Sequence, residues 1–183
     1  MDVKTDKDAA DLRVNLDRYV EQLQRYAFAL TASRDRAQDL VQNCLVRALA
    51  NSHRFVPGTN LRAWLFTLLH NLYVSEVRSQ SRRGDHLSIG DLGDDAVADG
   101  GQLVHVEFRD MVASLGALDP DQRAVILLVG VEGLSYKEAA EVLGVPIGTV
   151  MSRLSRGRET LRNLTDGVGP RRFRVVGGGK GGD

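Results

Sequence analysis

The stretch that most constrains the fold of this chain is Leu134–Leu164, which has the pattern of two helices joined by a tight turn. Ser135 and Glu138 have the spacing of a capping box, so they predict the start of the first helix. Gly144 predicts its end, because glycine commonly adopts the left-handed conformation that closes a helix. The proline that follows favours a new start, and we expect a second helix over Ile147–Leu164.

The second helix of this pair has one apolar stripe and two polar flanks. The apolar stripe consists of Val150, Leu154, Leu161 and Leu164, with Gly157 between them. One polar flank carries Thr149, Ser152, Arg153 and Arg156, and the opposite flank carries Arg158 and Arg162. Arginine can bridge two acceptors on guanine, and flanking cations can contact phosphates. The pattern favours a helix-turn-helix whose second helix reads the DNA major groove, over the alternative of a solvated helical hairpin.

The composition restricts the remaining possibilities. The 183 residues include 24 Lys and Arg and 24 Asp and Glu, so any contact with DNA must come from local charge. The single cysteine, Cys44, excludes an intramolecular disulfide and lies in an apolar helical stripe, which predicts a buried thiol. The sequence has no apolar run of membrane-spanning length and no signal-peptide pattern at its start. These features predict a soluble, cytoplasmic protein without membrane insertion.

Helical periodicity also dominates outside this stretch, and it predicts an all-α fold. We expect helices over Asp11–Ala32, over Ala37–Leu49 and over Leu61–Ser79, with a turn at Pro57 and Gly58 before the third. In the third helix we expect an inward-facing stripe that comprises Leu61, Trp64, Leu65, Leu68, Leu69 and Leu72. A further helix is predicted over Pro120–Val131, directly before the helix-turn-helix.

Changes in composition divide the chain into four parts. Residues 1–83 form a first helical unit, and residues 84–102 are rich in Gly and Asp, which is typical of a flexible acidic linker. Residues 103–166 form a second helical unit with the helix-turn-helix. Residues 167–183 are a Gly-rich basic tail that we expect to be disordered. The prediction is therefore two small helical domains joined by a flexible linker.

Two separated segments of the chain resemble the bacterial sigma factors. Residues 35–72, with the motif DLVQ, resemble the second conserved region of that family, and residues 118–161 resemble the fourth. Because only a short linker joins them, the chain is similar to the extracytoplasmic-function group. The resemblance covers about Asp11–Leu164, and it rests on two motifs in the correct order.

This resemblance implies partners and site residues. The first unit is expected to bind the β′ clamp helices of RNA polymerase core through Asp39, Gln42 and Asn43. The residues expected to bind the −10 promoter element are Arg54, Phe55, Gly58, Thr59, Asn60, Asn71 and Arg78. The residues expected to bind the −35 element are Thr149, Ser152, Arg153, Arg156, Arg158 and Arg162. An anti-sigma factor is a further candidate partner, since relatives are commonly held inactive by one.

Two other classes of function are alternatives for this sequence. A stand-alone regulator that binds duplex DNA would explain the helix-turn-helix equally well, but it leaves the DLVQ helix without a role. An enzyme is disfavoured because the sequence has no paired carboxylates at useful spacing, no nucleophile motif and no phosphate-binding loop. The glycines of residues 177–182 lack the strand, helix and Ser or Thr of such a loop. We expect no metal and no cofactor.

Overall fold

A computed structural model of the protein describes residues 3–56, 58–83 and 114–166. The regular secondary structure in these ranges is helical, which confirms the all-α prediction. The predicted linker and tail lie outside the described residues, as does Pro57 of the predicted turn. None of the helices in the described ranges is both long enough and apolar enough to cross a membrane.

The first unit consists of three helices, and its first helix is longer than predicted. The helices are α1 (Val3–Thr31), α2 (Arg34–Ala50) and α3 (Leu61–Arg83), with one 3₁₀ turn at Ser52–Arg54. Helix α1 begins before the predicted Asp11. Lys and Ala are good helix formers, so a polar composition alone does not end a helix.

The connection between α1 and α2 is a tight corner. Ala32 has a φ of 51°, and this left-handed residue reverses the chain after α1. The Thr31 hydroxyl donates to the carbonyl of Ala27 at 2.9 Å. The Ser33 hydroxyl then accepts a hydrogen bond from the backbone N–H of Arg36 and caps α2. Serine is among the preferred N-cap residues, so the start of α2 follows from the local sequence.

Helix α2 buries the stripe that its sequence predicts. The fully buried members are Ala37, Leu40, Val41, Cys44 and Ala48. The thiol of Cys44 donates to the carbonyl of Leu65 at 3.6 Å, and burial raises the pKa of this thiol to about 12. The thiol is therefore protonated and serves as a small core group, as predicted.

The buried face of α3 differs from the predicted stripe. The fully buried residues are Ala63, Leu65, Phe66 and Leu69, whereas Leu61, Trp64, Leu68 and Leu72 are only partly buried. Phe66, which the stripe omitted, contacts Tyr26 of α1 with ring centroids 5.3 Å apart. Helix α3 packs against α1, against α2 and against a helix of the second unit. A helix with three neighbours buries a wider face than a simple stripe describes.

In the described part of the second unit, residues 114–116 are helical and three further helices follow. They are α4 (Pro120–Ile126), which continues into a π-helical turn (Leu127–Val131), α5 (Tyr136–Leu143) and α6 (Ile147–Asp166). Asp119 caps α4 by accepting from the N–H of Asp121 at 2.9 Å. The helix predicted over Pro120–Val131 is confirmed, and its last part is a wider, π-helical turn.

Helices α5 and α6 form the predicted helix-turn-helix. The Ser135 hydroxyl accepts from the N–H of Glu138 at 3.2 Å, and the Glu138 carboxylate accepts from the N–H of Ser135 at 2.7 Å. The Ser135 hydroxyl also donates to this carboxylate at 2.7 Å, and the hydroxyl and backbone donors of Ser135 together lower the pKa of Glu138. Gly144 closes α5 with a φ of 64°. Both the capping box and the left-handed glycine were predicted from the sequence.

Helix α6 crosses α4 at Gly157. A Cβ atom at this position would lie 2.6 Å from Cδ1 of Ile126 and 3.3 Å from Cβ of Gln122, so glycine permits the close approach. The predicted apolar stripe of α6 is wrong at its end, because Leu164 is 40% exposed. Helix α4 is shorter than α6, and the last residue of the stripe that packs on the core is Leu161.

A buried arginine joins α4 to the chain that precedes it. Arg123 is 1% exposed, and its Nε donates to the carbonyl of Leu115 at 2.7 Å. Its Nη2 donates to the carbonyls of Gly116 and Leu118 at 3.0 and 3.2 Å. Desolvation lowers the pKa of Arg123, but the side chain satisfies three carbonyls at the end of the helical residues 114–116 and in the turn that follows them. This role of Arg123 was not predicted from the sequence.

Candidate nucleic-acid interface

The first group of candidate residues lies on the polar side of α2. Asp39, Gln42 and Asn43 are all exposed, so each can reach a partner. Asp39 and Asn43 also line a groove of about 460 Å³ between α2 and α3. An ion pair of 2.8 Å between Arg36 of α2 and Glu76 of α3 links the two helices across this groove.

The second group lies in the loop between α2 and α3. Arg54 is exposed, whereas the ring of Phe55 is half-buried and lies 5.4 Å from the ring of Trp64. Gly58 has a φ of 87°, and the hydroxyl of Thr59 donates to the carbonyl of Val56 at 2.7 Å. The loop is therefore held by internal contacts, with Phe55 anchored against α3.

Asn60 ends this loop and has contacts on two sides. Its side-chain oxygen accepts from the N–H of Ala63 at 3.0 Å and caps α3. Its side-chain nitrogen donates to the carboxylate of Glu138, the capping-box residue of α5. A candidate −10 residue therefore contacts the helix-turn-helix directly.

Asn71 and Arg78 occupy one exposed face of α3. They are seven residues apart, which places them on the same side of a helix. Both line a shallow depression of about 700 Å³ together with Val74, Ser75 and Ser81. A polar, basic surface of this kind can contact the backbone and bases of a nucleic-acid strand.

His70, next to Asn71 in sequence, belongs to the interior instead. Its Nδ1 lies 3.1 Å from the hydroxyl of Tyr26 on α1. Desolvation lowers the pKa of His70 to about 4, and the charges of Asp121 and Arg153 act on it in opposite directions. His70 is therefore neutral at pH 7. Among the described residues, no group of His, Cys, Asp and Glu could hold a metal ion.

The third group lies on α6, where the two predicted flanks are separated as expected. Arg156 and Arg158 are exposed on different sides of the helix. Arg153 is half-buried and forms an ion pair with Asp121 of α4, so its guanidinium points toward its own unit. The Ser152 hydroxyl donates to the carbonyl of Thr149 at 3.0 Å. Arg162 lies two turns after Ser155, on the same flank as Arg158. All three residues line one cavity beside α6.

The two units meet around a buried carboxylate that the sequence analysis missed. The side chain of Glu132, after α4, is 1% exposed, and its Oε2 lies 3.2 Å from Nη2 of Arg25 and 3.8 Å from Nη2 of Arg62. Arg62 also donates to the backbone carbonyl of Glu132 and, at 2.8 Å, to Gln22. Burial raises the pKa of Glu132, and Arg25 and Arg62 oppose that rise. The other oxygen, Oε1, has no hydrogen-bond partner in the described part of the chain.

The residues of this contact could not be paired from the sequence. Arg62 and Glu132 are 70 residues apart, and Arg25 and Glu132 are 107 apart. One sequence feature could have indicated a buried carboxylate. Glu132 is a charged residue in an otherwise apolar segment, LLVGVEGL, where it lies between Val131 and Gly133. Buried charges in such segments are generally paired, but the sequence does not identify the partner.

Comparisons with known proteins agree with the two-unit description. Residues 108–161 match the family model "Sigma-70, region 4", and residues 16–70 match the model "Sigma2 domain of PhyR". The ECF RNA polymerase sigma factor EcfG of Rhodopseudomonas palustris is 42% identical over 153 residues, which is 84% of each chain.

Two solved structures extend the comparison to the fold. The sigma factor RpoE of Bartonella quintana, in complex with the anti-sigma factor NepR, is 35% identical with a TM-score of 0.73. The alignment covers 87% of this chain and 99% of RpoE. CnrH, in complex with the cytosolic domain of CnrY, is 26% identical with a TM-score of 0.68, over 90% of this chain and 96% of CnrH.

Proposed function

The chain belongs to the extracytoplasmic-function group of RNA polymerase sigma factors, and from this membership we propose a division of tasks between its two units. As a sigma factor, the chain directs RNA polymerase to promoters. The unit of residues 1–83 binds the β′ clamp helices of the core enzyme and captures the −10 element. The unit of residues 103–166 reads the −35 element, and residues 84–102 connect the two.

The observation that carries the DNA-reading part is the geometry of α5 and α6. A capping box and a left-handed glycine fix the angle of the helix pair, which leaves Arg156 and Arg158 exposed on the second helix. A helix of about 12 Å diameter fits the major groove of B-DNA, where arginine can identify guanine. We propose that Arg156 contacts bases and that Arg158 and Arg162, on the other flank, contact phosphates.

The exposed face of α3 and the loop before it suit the −10 element. Opening a duplex costs free energy, which must be recovered by holding the separated bases and their backbone. Asn71 and Arg78 supply an amide and a cation along one face, and Asn60 supplies an amide at the end of the loop. Arg54, Gly58 and Thr59 complete the loop, with Phe55 as its anchor.

The contact between Asn60 and Glu138 implies a change of arrangement during function. Elements at −10 and −35 are centred about 25 base pairs apart, which is roughly 85 Å along B-DNA at 3.4 Å per base pair. In the structure the candidate −10 loop instead touches the helix-turn-helix. We therefore propose that the two units separate before both elements are bound.

Other attributes follow from membership of this family. We propose that the protein acts in the cytoplasm, where it meets RNA polymerase, and that it has no catalytic activity of its own. RpoE of Bartonella quintana is bound by an anti-sigma factor, and the similar fold suggests that a partner of the same class binds this chain.

Run-off transcription with purified core RNA polymerase on a promoter library tests this function. The proposal expects specific transcripts that require both the core enzyme and this protein. A stand-alone regulator would instead bind duplex DNA without the core enzyme and would support no initiation. Absence of core-dependent initiation on every promoter would contradict the proposal.

Replacing both Asp39 and Gln42 with Ala should weaken binding to core RNA polymerase. Interface residues of ordinary importance contribute roughly 1 kcal/mol each, so the expected loss is about thirtyfold together. Both side chains are exposed, so the fold should be retained. A titration of labelled core enzyme measures the affinity. The matched control replaces Asp17 and Gln24, which are exposed on α1, and equal affinity of both double variants would remove α2 from the polymerase-binding site.

Replacing Arg156 with Ala should relax the base preference at one −35 position. A bidentate contact between arginine and guanine provides about 1–3 kcal/mol of discrimination. Arg158→Ala is the control, because a phosphate contact affects all sequences equally and its loss reduces the salt dependence of binding. Holoenzyme affinity for a panel of −35 substitutions at two salt concentrations separates the two effects. An even loss across the panel for both Arg156→Ala and Arg153→Ala would mean that another side of α6 faces the bases.

A further inference from the structure

The helix-turn-helix exposes large apolar side chains on the flank of α6 that faces α5. Tyr136, Ile147 and Met151 are among the exposed large apolar residues, and Met151 is 53% exposed. Tyr136 and Met151 line a cavity of about 320 Å³, and the walls of this cavity include Arg158 and Arg162. Single exposed apolar residues are common, but a cluster beside two arginines suits a partner with both apolar and anionic groups.

Met151 lies in the part of α6 where base contacts are made. Residues near the N-terminus of a recognition helix contact base edges, and Met151 is in the second turn of α6. Its polar neighbours in this turn are engaged within the protein. The hydroxyl of Ser152 donates to the carbonyl of Thr149, and the guanidinium of Arg153 pairs with Asp121.

The chemistry of the major groove offers one matching group. The bases present hydrogen-bond donors and acceptors there, and the C5-methyl of thymine is their apolar group. A methionine side chain is flexible and apolar, so it can follow a methyl group without leaving a buried polar atom unsatisfied. The arginines beside Met151 match the phosphates on either side of such a base, which favours duplex DNA over a purely apolar protein surface.

We propose that Met151 contacts the methyl group of a thymine in the −35 element and adds specificity for that base. This inference rests on the proposed role of α6 as the −35 reader. The contact buries one methyl group against the thioether side chain. The expected discrimination is about fourfold, which corresponds to the burial of one group of that size.

Deoxyuridine provides the test, because it differs from thymidine only by the missing methyl group. Each thymine on either strand of the −35 element is replaced in turn, and the affinity of the complete holoenzyme is measured. Wild-type protein should lose about fourfold at one position. The Met151→Ala variant should bind thymine and uracil equally at that position, and Leu164→Ala, an exposed apolar residue in the last turn of α6, should behave as wild type.

The possible results separate this inference from the proposed function. Three results would overturn the role of Met151. The wild-type protein does not distinguish uracil from thymine at any position, the −35 element contains no thymine, or the fourfold preference persists in Met151→Ala. If Arg156→Ala still changes the base preference in that case, α6 remains the reader. If Met151→Ala weakens binding to core polymerase and leaves the thymine preference unchanged, the cavity serves a protein partner, and the inference is wrong. If no substitution in α6 changes base preference, the proposed −35 reading itself fails.

Discussion

Replacement of Arg123 with Met should destabilise the second unit by about 3–5 kcal/mol, because three carbonyls lose their hydrogen-bond donor together. The carbonyls of Leu115, Gly116 and Leu118 accept from Arg123 in a place where the guanidinium is almost completely buried. Each buried acceptor left unsatisfied costs roughly 1–3 kcal/mol, and methionine retains only the packing of the side chain. The segment before α4 should detach first.

Urea unfolding followed by circular dichroism measures this effect, and limited proteolysis locates it. Arg156→Met is the matched control, because it makes the same change at an exposed position of α6. Arg123→Lys should have an intermediate effect, since an ammonium group lacks the planar fork that reaches three carbonyls. A midpoint for Arg123→Met equal to that of the control would show that the three hydrogen bonds add no net stability.

Replacement of both Arg25 and Arg62 with Ala should open the contact between the two units. Glu132 would then be a buried carboxylate without a cation, a situation that typically costs about 3–5 kcal/mol. Separation of the units then lowers the free energy most, because it returns the charged Glu132 to water. Adding Glu132→Gln to the double variant should restore the contact, because a neutral amide has no charge to solvate.

Distances between labels on the two units measure the opening. Cysteines introduced at Val46 and Lys137, both exposed, can carry a donor and an acceptor dye, while the native Cys44 is buried and its raised pKa keeps it protonated. The control is a double variant with Arg34→Ala and Arg47→Ala, which removes two exposed arginines of α2. Equal energy transfer in the wild-type protein and in the Arg25 and Arg62 variant would contradict a role of this cluster in holding the units together.

The pKa of Glu132 gives the same contact a pH dependence. Because burial raises this pKa above the ordinary value of 4.5, the protonated carboxyl stabilises the closed arrangement. That contribution is fully present below the ordinary value and is lost as the pH rises through the raised pKa. The variant without Arg25 and Arg62 should therefore close again as the solution is acidified.

Local features of the fold were predictable from the sequence because they depend on neighbouring residues. The capping box of Ser135 and Glu138, the left-handed Gly144 and the cap at Ser33 all follow from spacing within four residues or fewer, or from the identity of one residue. The cores of α2 and α6 follow from helical periodicity, except where α6 extends beyond α4 at Leu164.

Contacts between distant parts of the chain were not predictable in the same way. Phe66 is buried because Tyr26 of α1 packs against it, and no periodic stripe of α3 contains that information. Arginine is typical of exposed helix positions, yet the partners of Arg123 are carbonyls at the end of the helical residues 114–116 and in the turn after them. The same limit applies to the candidate site, where the pairing of Arg153 with Asp121 was not predicted.

The carboxylate of Glu138 has consequences for how this protein can change over generations. One of its oxygens completes the capping box of α5, and the other accepts from Asn60 of the first unit. A lineage that loses Glu138 therefore weakens the helix pair and the contact between units in a single step. Substitution of Asn60 by Asp keeps an oxygen to cap α3 and places a second negative charge against Glu138. Selection for a more open protein can act at Asn60 without harming the helix pair, whereas Glu138 is held in place by two requirements at once.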